Sequence, residues 1–182
     1  MSKSLKYLVF LVFPAVWLLR GDVRGCQCDV NNPKEMAQRE CGLCALAERE
    51  PSYMTVFFLK DSNPTKPDRI LALPRMHEPG SHLLSELPAE TRAELWSAAI
   101  ARAQELWGDN WGIACNSPEK RTQCHTHLHI GKLLPGQENA NFIVVTKVEE
   151  IPAPGDNGIL VHPVDGKLHC DLEPAPELSL MR

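Results

Sequence analysis

From Cys124 to Ile130 the chain places histidine at every second position, at His125, His127 and His129. A β-strand points alternate side chains to opposite faces, so on a strand the three imidazoles share one face, ~7 Å apart. Thr126, Leu128 and Ile130 take the other face, which is apolar enough to bury. Near neutral pH imidazole is a nucleophile, a proton carrier or a metal ligand. A row of three therefore predicts a chemical site. The bland alternative is a surface strand rich in histidine.

Length and charge narrow what surrounds that strand. The 182 residues are 43% hydrophobic, which suits one domain whose core needs no disulfide scaffold. A formal charge of −4 gives no general attraction to nucleic acid or anionic membrane. Any bound phosphate must then be held by local groups. Seven cysteines are an odd number, so at least one is unpaired, metal-bound, lipidated or removed. Lys3 and Lys6 precede an apolar run over residues 7–19, which is short for a bilayer span and reads as a secretory signal. A cleavage site follows at Val23-Arg24-Gly25, before Cys26, and residues 23–26 loosely resemble a lipoprotein box in which Arg24 fits poorly. An uncleaved anchor and a buried N-terminal helix are the alternatives. Residues 1–25 are thus set apart as signal peptide or anchor, and the polar residues 26–40 as a tether.

Cys41-Gly42-Leu43-Cys44 has the CxxC spacing of a zinc grip, a redox pair or a disulfide. Residues 53–60 and 69–73 have strand composition and are separated by a turn-rich loop over 61–68. A helix runs to about Trp107, with Leu95, Ala99, Ala103 and Leu106 as its stripe and Trp96, Ile100 and Trp107 flanking. Pro88 suits its first turn and Gly108 its end. A short strand over 111–116 and a polar loop over 117–123 lead into the triad. Beyond Pro135-Gly136, residues 142–145, 158–161 and 167–170 are further strand candidates. Val164-Asp165-Gly166-Lys167 is a hairpin turn signal that lets His162 and His169 face each other, with surface histidines the default there.

The alternating histidines resemble the signature of the histidine-triad (HIT) superfamily, and the preceding Arg121-Thr122-Gln123 resembles its CDP-diacylglycerol pyrophosphatase branch. The stretch opening with Cys41-Gly42-Leu43-Cys44 resembles the start of many HIT proteins, and Pro74-Arg75-Met76-His77 resembles the step ending their second strand. The resemblance covers residues 41–134 as a HIT-like domain and leaves 135–182 as a β-rich C-terminal extension packed on the same domain. It implies an α+β, HIT-like fold: an antiparallel sheet of about five strands with the long helix on one face.

The resemblance also implies a chemistry. His127 would attack the α-phosphorus of a nucleotide-like substrate, forming a phosphohistidine that water releases. A backbone carbonyl on the His125 side would fix the far nitrogen of His127, and His129 would donate to a non-bridging oxygen. His125 completes the triad, and Asn116, Thr122 and Gln123 would hold phosphate oxygens. Cys41, Cys44, His77 and His125 would bind a structural zinc, with His82 the rival ligand. The implied substrate is a nucleotide or liponucleotide, CDP-diacylglycerol being split to CMP and phosphatidate, with no organic cofactor and no nucleic acid. The implied setting is the periplasm or cell envelope, with membrane association through the N-terminus and a two-fold homodimer. Two readings of other classes remain. One is a zinc-binding or metal-handling protein without turnover. The other is a thiol redox protein using Cys41 and Cys44, and the zinc and redox readings exclude each other at those thiols.

Overall fold

The computed structural model describes residues 22–75, 82–137 and 141–182. The apolar run over 7–19 and His77 lie outside the described residues, so neither the leader nor that zinc ligand is placed. The fold is α+β. Strands β1 (Val56–Lys60), β2 (Ile70–Pro74), β3 (Trp111–Cys115), β4 (Leu128–Lys132), β5 (Phe142–Val145), β6 (Gly158–Val164) and β7 (Lys167–Glu173) form one antiparallel sheet in the order β1-β2-β4-β3-β6-β7-β5. The sheet has seven strands rather than about five because Ile113, Ala114 and Cys115 of β3 pair with β6. The C-terminal strands thereby continue the same sheet.

Among the helices are α1 (Pro33–Met36), α2 (Gly42–Ala47) and α3 (Ala89–Trp107). Gly108, at φ +59°, closes α3 by donating its N–H to the Gln104 carbonyl. That φ suits glycine, which has no Cβ to clash. Leu95, Trp96, Ala99 and Ala103 of α3 pack on Ala72, Ile113, Leu128, Ile130, Ile159, Val161 and Cys170 of the sheet. Trp96 completes this buried set, not Leu106, which is 39% exposed in the last helical turn. There it lines an open cleft with Phe58, Ile70 and Trp107.

With Leu128 and Ile130 turned to the helix, strand alternation sends His129 and Gly131 to the other face. The C-terminal segment packs there. A Cβ on Gly112 would come within 2.5 Å of the Leu180 side chain, and one on Gly131 within 3.1 Å of Arg69 Nε. The main chain is pinned too: Met181 N donates to Lys132 O and Leu134 N to Ser179 O, at 2.7 and 2.9 Å. On β6 and β7 the two-residue turn at Asp165 and Gly166 takes φ of +49° and +75°. It sets the register that pairs His162 with His169. Both are buried instead of lying at the surface, because the hairpin sits inside the sheet between β3 and β5.

Residues 26–40 are not a free tether. Cys26 is disulfide-bonded to Cys124 and Cys28 to Cys41, with Cα separations of 5.9 and 5.6 Å. Asn32 caps α1 by accepting from Lys34 N, ahead of Pro33 at the first helical position. Val23 is buried, and Arg24 pairs with Asp156. The Cys26 thiol is committed to Cys124 and is not available for lipidation. Disulfides of this kind persist in oxidising compartments, which indicates export. No helix among the described residues is long and apolar enough to cross a membrane.

Candidate active site

The triad is carried on a bend that runs into a strand. β4 begins at Leu128, so only His129 sits in the ladder, opposite Leu71 of β2 and Ala114 of β3. His125 and His127 precede it. Each is fixed by hydrogen bonds instead of by strand pairing. His125 Nε2 lies 2.7 Å from the Pro74 carbonyl at the end of β2. Thr126 Oγ1 donates to the His82 carbonyl at 2.8 Å, and the buried Arg121 guanidinium donates to the same oxygen. Immediately upstream, Cys124 N donates to Glu40 O at 2.8 Å, beside the Cys26–Cys124 disulfide.

The geometry decides the state of His127. Its Nδ1 is 2.8 Å from the His125 carbonyl. A carbonyl can only accept, so Nδ1 carries the hydrogen. Burial, and then the charge of Arg121, push its pKa down from the ordinary 6.5 to about 4. The ring is therefore neutral at physiological pH, and its Nε2 holds a lone pair. That is the form in which an imidazole attacks an electrophile. His129 stands 4.9 Å away, edge-to-face. Burial holds its pKa well below normal too, assisted by His127, Arg69, Lys66 and Arg121. Two carboxylates flank it, with Glu177 Oε2 3.4 Å from Nε2 and Asp61 Oδ2 4.0 Å from Nδ1. A neutral ring can donate to only one of them, and the shorter distance puts the hydrogen on Nε2.

Because the folded protein resists protonating His127, the unfolded chain binds more protons between pH 6.5 and 4. The stability contributed by this residue is thus complete above about pH 6.5 and is lost as pH falls toward 4. Nitrogen-15 correlation spectra are expected to show His127 as the Nδ1–H tautomer, unchanged from pH 8 down to pH 5. A midpoint near 6.5 would contradict the burial described here.

The substrate-binding residues expected from the sequence do not all converge. Asn116 is buried beside the tail, its Oδ1 accepting from Glu177 N at 3.2 Å. Gln123 is turned away. Its Nε2 donates to Arg39 O and its Oε1 accepts from Leu43 N, so its amide clips the loop to α2. Thr122 is exposed and lines a cleft of about 730 Å³ with Cys26, Cys28, Glu40 and Arg121. Arg121, which by sequence could pass for a solvated loop charge, is instead 2% exposed.

The zinc set inferred from the resemblance does not fit this chain. Cys41 is bonded to Cys28, and His125 Nε2 is held on the Pro74 carbonyl. Cys44 is a buried free thiol whose pKa burial raises to about 12. Cys41 is accordingly paired with Cys28 and not with Cys44. A different group is close enough to hold a metal: the sulfurs of Cys26, Cys28 and Cys124 lie within 4.8 Å of one another. In the structure all three are in disulfides.

Glu177, Arg69, Lys66 and Asp61 are site residues that the sequence did not reveal. Asp61 and Lys66 sit in a segment legible only as a turn, and Glu177 in a tail with no motif. No family model matches the chain, and no curated protein matches it. The chemistry of the site therefore rests on its own geometry.

Proposed function

We propose that the chain is a histidine-triad phosphoanhydride hydrolase with a HIT-like fold, working through a phosphohistidine on His127. The observation that carries this reading is the Nδ1–H bond of His127 to the His125 carbonyl on a neutral ring, which leaves Nε2 as the nucleophile. In the step proposed, Nε2 bonds to the α-phosphorus, the bridging P–O bond breaks and its electron pair leaves with the distal phosphate. His129 Nε2–H donates a hydrogen bond to a non-bridging oxygen and keeps its proton, so the distal phosphate departs as its anion. Water then attacks the phosphohistidine, the P–N bond breaks, and a nucleoside monophosphate is released with His127 restored. Splitting one displacement into two lowers each barrier. The buried Arg121, whose charge acts on His127, contributes a fixed positive charge near the site.

The substrate within this class is a nucleotide or liponucleotide. Arg121-Thr122-Gln123 and export favour CDP-diacylglycerol, and the periplasm or cell envelope follows, with residues 1–25 as leader or anchor. The family resemblance adds a two-fold dimer. Zinc enters the reading for a reduced chain alone, where Cys26, Cys28 and Cys124 would supply thiolates.

The test is a brief incubation with α-phosphate-labelled CDP-diacylglycerol, a dinucleotide polyphosphate and an adenosine phosphoramidate. The expected result is an acid-labile, alkali-stable label on residues 122–132 with one substrate preferred. Preference for a soluble substrate would keep the mechanism and replace the lipid. The absence of both turnover and label would overturn the hydrolase reading.

A further inference from the structure

A second group of charges lies beside the triad, and the chemistry described so far does not use it. Lys66 Nζ is 2.8 Å from Glu177 Oε2, and Arg69 NH1 is 3.6 Å from the same oxygen. His129 Nε2 reaches that oxygen at 3.4 Å. One carboxylate oxygen thus sits at the meeting point of two cations and the third triad histidine. Arg69 is 1% exposed, and its Nε and NH1 have no hydrogen-bond acceptor. Leaving buried guanidinium donors unmet is costly in a finished structure. Its NH2, by contrast, donates to Leu180 O and Met181 O at 3.1 and 3.0 Å, which fixes the group in place.

We propose that Lys66, Arg69 and His129 form an anion subsite for the phosphate group next to the one His127 attacks, and that the Glu177 carboxylate is its internal occupant. A phosphate presents several acceptor oxygens where Glu177 presents one to this cluster. It can therefore meet Lys66, His129 and the idle Arg69 NH1 together. The tail backbone need not leave. It is held by Asn116, Lys132 and Arg69, and the carboxylate alone can swing outward. Asp61, 4.0 Å from His129 Nδ1, remains as a fixed negative charge facing the subsite from the loop before β2. Lys66 and Arg69 outweigh it once Glu177 has moved.

The identity of the bound phosphate as part of a substrate rests on the hydrolase reading; the subsite itself does not. Calorimetric titration of the full oxidised chain with inorganic phosphate and with inorganic pyrophosphate separates the two. Glu177→Gln is expected to bind either anion about tenfold more tightly than wild type, and adding Lys66→Gln is expected to reverse that gain. Melting temperatures identify any variant that fails to fold. Lys66→Gln alone, at a partly exposed side chain, then supplies the comparison and is expected to weaken wild-type binding. Equal or weaker binding by folded Glu177→Gln, or no response to Lys66→Gln, would overturn the subsite. His127→Ala should leave phosphate binding within about twofold. Phosphate binding that follows residues 66 and 177 without any turnover would discard the hydrolase and keep the subsite. Turnover that needs His127 while phosphate binding ignores both residues would do the reverse.

Discussion

Replacing His127 with alanine is expected to lower kcat/KM on the preferred phosphoanhydride by a factor on the order of 10⁴ to 10⁶. That is the scale on which a covalent mechanism fails when its nucleophile is removed. Steady-state kinetics with single-turnover labelling would measure it, and the label should vanish with the rate. The fold should survive. The substitution leaves the His125 carbonyl without its partner, a loss of about 1 kcal/mol. It also removes a ring whose protonation the folded state opposes. A variant that keeps its melting temperature within a few degrees and loses all turnover separates catalysis from packing. Retained turnover would place the chemistry elsewhere.

The second large effect is on stability. The Cys26–Cys124 bond spans 98 residues of sequence, and closing a loop of that size restricts the unfolded chain by about 4 to 5 kcal/mol on the chain-entropy model. Cys124→Ser is therefore expected to lower the melting temperature by about 10 °C or more, read by calorimetry under oxidising conditions. Cys28→Ser, which opens a loop of 13 residues, should cost less. The two should differ in activity as well. Cys124 adjoins His125 in the chain, so loss of its bond loosens the bend that presents the triad. Equal effects from both would show that loop size is not what matters here.

The sequence carried the sheet-and-helix plan well. The spacing of Leu95, Ala99 and Ala103 marked the buried stripe of α3, and Asp165-Gly166 marked the hairpin. Alternation singled out the triad as a candidate site, although regular strand begins only at Leu128. The missed features arise from long-range contacts that no local pattern encodes. Cys41 and Cys44 have the spacing of a metal grip, but residues 26–40 fold back and give Cys41 a disulfide partner in Cys28. Gln123 has the chemistry of a phosphate ligand, and the backbone of residues 39 and 43 occupies it first. Glu177 reaches His129 because Leu180 packs on Gly112 and Arg69 holds the carbonyls of Leu180 and Met181. None of those contacts is visible until the sheet has closed.

The disulfides also impose an order on maturation. A chain threaded into an oxidising compartment from its N-terminal side exposes Cys26 to Cys28, Cys41, Cys44 and Cys115 before Cys124 arrives. Its native partner is thus the fifth cysteine it meets, while Cys28 must pass over no sulfur but Cys26 to find Cys41. Early pairings of Cys26 are wrong pairings, and thiolate attack on those bonds is the way out of them. In the cell, disulfide isomerisation would shorten that search. In a cuvette the protein's yield should depend on the thiol buffer more than on the denaturant it came from.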